Sequence, residues 1–128
     1  MQLSDHRVTA AIAVSDIRRA RGFYEGKLGL KPANLRAVED SERYACGHGT
    51  FIMIYVSSNA GGSNNMVAGW HVRDLALMVE ELTSRGVVFF DQMEGSAAEG
   101  ERRVPHVELG SRVAYFTDPD GNILGLKS

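Results

Sequence analysis

A single cysteine, Cys46, stands in this chain of 128 residues, so no disulfide can close within it and nothing asks for an oxidising compartment. Excess charge of either sign is also lacking. Fourteen Lys and Arg against sixteen Asp and Glu leave a formal net charge of −2, too little to suggest nucleic acid or an anionic membrane as a partner. No run approaches the roughly 18 apolar residues that a spanning helix needs. The opening MQLSDHRVTA is polar before any apolar run begins, unlike a signal peptide, and a cytoplasmic protein is the expectation. GSAAEG, at 95–100, lacks the Lys-Ser/Thr ending and the following helix of a phosphate loop. A small neutral or polar ligand is left as the default partner.

What is present has the composition of a globular protein, 44% hydrophobic and 23% charged. The length suits one domain that buries about two-thirds of its unfolded surface.

The most informative feature is a repeat. VTAAIAVSDIRRARGFYEGKLGL, from Val8, aligns with MVAGWHVRDLALMVEELTSRGV, from Met66, so that Asp16 meets Asp74 at an offset of 58 residues. Each copy opens with alternation at period two, which predicts a strand: Val8, Ala10, Ile12 and Val14 share one face, as do Met66, Ala68, Trp70 and Val72. Each strand runs into an Asp placed to cap a helix. Ile17, Ala20, Phe23, Tyr24 and Leu28 then fall at helical spacing before Gly29, and Leu75, Met78, Val79 and Leu82 do so before Gly86. Strand signals follow in both halves, with Gly turns at His48-Gly49 and Asp120-Gly121 ahead of a last apolar strand.

The reading is therefore α+β, a β-α-β-β-β module repeated: module one at about 5–57, a Gly/Ser/Asn linker at 58–64 within SSNAGGSNN, and module two at about 65–128. The polar stretch 92–111 reads as an inserted loop or lid.

VSDIRRARGFYEGKLGL near the start and AYFTDPDGNILGL at the end together resemble the vicinal oxygen chelate superfamily, also called the glyoxalase/bleomycin-resistance/dioxygenase family, over nearly the whole chain. The resemblance implies two paired modules forming an incomplete barrel around a ligand cavity, helices outside, and a homodimer. In the metal-dependent branch it implies ligands on the first strand, seven residues before the capping Asp, and on the fourth, four residues after the turn glycine. Those positions are Thr9 and Val67, then Met53 and Gly125. None is a histidine or a carboxylate, whereas zinc needs three or four N, S or O donors and non-haem iron two histidines and a carboxylate. The expectation is a protein with no metal and no cofactor.

Period two then places Val67, Gly69, His71 and Arg73 of module two on the cavity face, with Trp70 in the core. Phe51 and Tyr55 share Met53's face, Tyr115 joins them by the family pattern, Phe116 goes to the core, and Thr9, Ala11 and Ala13 leave room. The expected ligand-binding set is Thr9, Phe51, Met53, Tyr55, Val67, Gly69, His71, Tyr115 and Gly125, a mostly apolar wall with a few polar tips that suits an aromatic or amphipathic compound.

Two other groupings read as structural. His106 and Glu108 lie on one side of a short segment with no third ligand in view, and Cys46 with His48 sits in a Gly-flanked turn without an orienting acid.

The favoured function is metal-free binding, by sequestration or sensing. The alternative is an enzyme of the same superfamily, a lyase, isomerase, dioxygenase or thiol transferase, with His71 as general base and Tyr115 or Tyr55 as donor, or with a metal site outside the motif. An interaction module with a filled cavity is the third reading. Gly69 and Gly125 on the inward face argue for open space instead.

Overall fold

Two Asp carboxylates start the two main helices. In the computed structural model, which describes residues 1–33, 40–90, 93–94, 102–103 and 112–128, an Oδ1 of Asp16 accepts the Arg19 amide at 3.0 Å. Asp74 accepts the Leu77 amide at the same distance. The first cap holds its carboxyl below the usual carboxylate range, chiefly through that backbone hydrogen bond.

The chain forms two compact units, Met1–Gly62 and Ser63–Ser128, and the seam falls in the Gly/Ser/Asn stretch. In the first, strand β1 (Thr9–Val14) leads into α1 (Ile17–Arg21), which widens into a π-helical turn over Gly22–Lys27. Strands β2 (Ser41–Ala45) and β3 (Phe51–Val56) follow. The sheet order is β1-β3-β2, with β1 parallel and β2 antiparallel to β3. Pro32 adds a one-residue antiparallel bridge to Tyr44, where a further strand was expected after the helix.

The second unit repeats this plan. Strand β4 (Met66–His71), helix α2 (Leu75–Ser84), β7 (Val113–Thr117) and β8 (Ile123–Lys127) give the order β4-β8-β7, and Phe90 bridges to Tyr115 at the place that Pro32 holds in the first unit. Between α2 and β7 a two-residue ladder joins β5 (Met93–Glu94) to β6 (Arg102–Arg103). His106 and Glu108 lie outside the described residues, as does most of the stretch 92–111.

Both helices stop at the glycines expected. Gly29 (φ 75°) lets the Leu30 amide reach back to the Tyr24 carbonyl, and Gly86 (φ 95°) lets Val87 reach Leu82, so carbonyls that would otherwise end unpaired are used. Each core lies between a sheet and its helix. In the first unit Ile12, Val14, Ile52 and Ile54 are buried with Ala20, Phe23 and Tyr24. Tyr24 stacks on Tyr44 at 6.2 Å, and the Tyr44 hydroxyl donates to Glu25 at 2.9 Å. Burial first, then that carboxylate, pushes the Tyr44 phenol above its ordinary range, so it serves as a fixed proton donor. In the second unit Phe116 takes Trp70 against one side at 6.3 Å and the edge of Phe89 at 5.3 Å, over Leu124 and Leu126.

Strand alternation does not reach Val8, and helical spacing does not bury Met78. Val8 lies before β1 and is 76% exposed, and Met78, expected inside, is open to solvent while Leu75 and Leu82 carry α2's packing.

Candidate functional site

With one face of each sheet covered by helix-side residues, the opposite face is set by register. In the first unit three rows cross it: Thr9-Phe51-Ala45, Ala11-Met53-Arg43 and Ala13-Tyr55-Ser41. The short side chains of β1 and β2's Ala45 leave Phe51, Met53 and Tyr55 of the central strand standing above their neighbours, with Tyr55 38% exposed. The structure thus brings Thr9, Phe51, Met53 and Tyr55 together on one surface.

Phe51 has company the sequence reading missed. Arg43 sits over its ring at 4.6 Å from β2, and Arg7, two residues ahead of Thr9, sits over it at 5.5 Å from the other side. Both approach diagonally, one step of the period-two pattern from the residues that pair with Phe51 directly. Extending the alternation of β1 one step before the strand would have found Arg7.

In the second unit the rows are His71-Lys127-Val113, Gly69-Gly125-Tyr115 and Met66-Ile123-Thr117. His71 is exposed at the strand end, and among the described residues no side chain hydrogen-bonds it, so nothing there orients its imidazole as a general base requires. Tyr115 lies beside Gly125 and stacks on Phe90 at 5.7 Å. Phe90, 4% exposed, belongs to this face and was not foreseen.

The main correction concerns β4. Met66 pairs with Ile123 and Ala68 with the next residue, Leu124, so Val67 is one residue too many and forms a bulge. Alternation breaks there, and Met66, expected on the helix side with Trp70, lies over the two glycines instead. An alanine β-carbon at Gly125 would stand 2.6 Å from the Met66 sulfur and 3.4 Å from the Tyr115 ring; at Gly69 it would stand 3.3 Å from the same sulfur. Gly125 is therefore not a vacancy. The space a side chain would fill is occupied by a thioether folded back from β4, and the open space argued from these glycines is closed to that extent. Val67 is displaced to the bulge, 39% exposed, with no partner in β8.

Gly125→Ala follows as a test of that packing. Because the obstructing atom ends a flexible side chain that is 50% exposed, the substitution alone should cost less than about 1 kcal/mol. In a Met66→Ala background it should instead stabilise by about 0.5 kcal/mol, since alanine restricts the unfolded chain and no longer meets sulfur. A urea-denaturation cycle reads the coupling, and strict additivity would show that Met66 does not lie there.

The four positions that the family resemblance marks for metal ligands supply no chelating set. The four positions carry a hydroxyl, a thioether, an isopropyl group and no side chain, and among the described residues no three His, Cys, Asp or Glu gather. Cys46 and His48 sit in the turn before β3, with His48 left-handed at φ 54° and the Cys46 sulfur 4.0 Å from the Tyr44 carbonyl.

The fold and faces are those of an α+β protein with repeated β-α-β modules. The chain belongs to the Glyoxalase/Bleomycin resistance protein/Dioxygenase superfamily, whose family model matches residues 6–126. No curated protein matches it. Among solved structures it is similar to TnmS3, described as an antibiotic-binding protein from Streptomyces sp. CB03234, at 22% identity and a TM-score of 0.66, covering 95% of this chain and 93% of that one. UcmS2 is 18% identical with a TM-score of 0.68, covering 95% and 96%. A glyoxalase/bleomycin resistance protein from Catenulispora acidiphila DSM 44928 is 22% identical at 0.64, covering 94% and 96%. At these identities the likeness is one of fold. Among the described residues no helix is long and apolar enough to cross a membrane.

Proposed function

We propose that the protein binds an aromatic or amphipathic small molecule on the sheet faces opposite its helices, and acts by holding it, through sequestration or sensing. The carrying observation is the apolar surface left on those faces. Tyr55, Met66 and Val67 are 38%, 50% and 39% exposed, although each belongs to a strand whose other face packs inward. Apolar side chains left open in this way favour a ligand that removes them from water. The donor set supports the same reading, because hydroxyl and thioether positions offer contact and hydrogen bonding rather than chelation. TnmS3, a protein of this fold, is described as antibiotic-binding, which agrees with a small-molecule role here. The ligand contacts in this reading are Thr9, Phe51, Met53 and Tyr55 in one unit and Val67, Gly69, His71, Tyr115 and Gly125 in the other. It extends to a single domain located in the cytoplasm and acting as a homodimer, the last as the family resemblance implies.

A thermal-shift screen of planar aromatic compounds tests it. A ligand that binds only the folded chain adds about 2.7 kcal/mol of apparent stability at a hundred times its Kd, enough for a shift of several degrees in a protein of this size. A broad aromatic library that moves the melting temperature nowhere would overturn the reading.

A further inference from the structure

The geometry points to an anionic group on the ligand, received by Arg7 and Arg43 at either side of Phe51. This rests on the small-molecule reading above and narrows its class to aromatic acids. Two guanidiniums are held within 5.5 Å and 4.6 Å of the centroid of one ring, so two like charges gather around a single side chain. Among the described residues no carboxylate partner is seen for either side chain, and the ion pairs of Arg21 with Glu42 and Arg85 with Glu81 involve neither. Glu42, next to Arg43 in sequence, points the other way, toward the helix side, and is spent on Arg21 at 3.3 Å. Two cations held beside one ring repel each other unless something offsets it. The ring's π-face does so in part, and an oxyanion would do so in full.

The arrangement is also fixed in place. The Arg7 stem lies against Gly49, where an added β-carbon would stand 3.1 Å from its Cδ, and Gly49 is left-handed at φ 77°. Arg43 is anchored in β2 opposite Met53. Both guanidiniums lie beside Phe51 while both residues stay exposed, so their N–H groups are available to a planar carboxylate or sulfonate whose aromatic part covers Met53 and Tyr55.

Two fluorescent probes that share a scaffold provide the experiment: anilinonaphthalene sulfonate and its uncharged parent, N-phenylnaphthylamine. The sulfonate should bind the wild-type chain about tenfold or more tighter than the parent, the difference a pair of charge-assisted hydrogen bonds makes. Arg43→Gln and Arg7→Gln should each remove most of that advantage while leaving N-phenylnaphthylamine affinity within about twofold, which also shows that the variants fold. Equal affinity of the two probes for the wild type, or an advantage that survives both substitutions, overturns the anion site and leaves small-molecule binding standing. Failure of both probes to bind overturns the two readings together.

Discussion

Phe116→Ala is expected to lower the free energy of unfolding by about 3–5 kcal/mol, a large part of the roughly 5–15 kcal/mol that a domain has to lose. Phe116 is fully buried, and it is the element against which Trp70 and Phe89 are placed. Truncation leaves a cavity among Trp70, Phe89 and Leu124 of the paired strand β8, so the cost falls at the upper end of the usual range. Trp70 is the sole tryptophan of the chain, which makes its emission a direct monitor. In the variant the native-state emission should shift to the red as the stack is lost, and the urea midpoint should fall with it. Phe116→Leu, which keeps most of the volume, should cost about 1–1.5 kcal/mol. Tyr115→Ala, one residue earlier and on the other face, forfeits its stack on Phe90 and should cost about 1 kcal/mol. Equal losses at 115 and 116 would contradict the alternation on which the assignment of the two faces depends.

That alternation is also why so much of the fold could be read without a structure. Asp16, Asp74, Gly29 and Gly86 act through bonds to residues a few positions away, so the type of residue and its place in the period were enough. The register Ala11-Met53 and Gly69-Gly125 holds the same offsets from the capping Asp and the turn glycine in both units. The failures have a common cause. Met66, Val67 and Ala68 are all apolar, so an extra residue among them leaves the hydrophobic pattern unchanged, and only the pairing with β8 shows that Met66 has turned over. The widening of the first helix at Gly22–Lys27 leaves Phe23 and Tyr24 buried, as an α-helix would, and so gives no sign in spacing. Arg7, Arg43 and Phe51 meet because three strands lie side by side, and Phe90 meets Tyr115 across a single bridge. Such contacts are long-range in sequence and depend on a partner that local propensity does not name.

Asp118→Ala should cost about 3 kcal/mol, although Asp118 stands in a turn and touches no ligand face. Asp118 is 4% exposed, and its carboxyl group accepts hydrogen bonds from the backbone amides of Asp120 and Asn122 at 2.9 Å each and from the Asn122 side-chain amide at 2.8 Å. Asn122 is itself 5% exposed, so removing the acceptor strands donors that water reaches poorly, and leaving even one buried donor unpaired costs about 1–3 kcal/mol. Backbone bonds from Gly121 to the Asp118 carbonyl and from Asp118 to Asn122 close the turn, with Gly121 at φ 87°. Asp118→Asn keeps one acceptor oxygen and should lose about half as much. Amide exchange at Asp120 and Asn122 should rise in the alanine variant well beyond the change in global stability. The turn bears on the proposed binding because it sets the register of β8. A slip of one residue would carry Gly125 to the helix side and bring Leu124 or Leu126 against Tyr115 and Met66, so a loss of aromatic-probe binding is expected to accompany any variant that loosens it. If Asp118→Ala cost under about 0.5 kcal/mol, as an ordinary surface substitution does, the turn would not be what holds that strand in place.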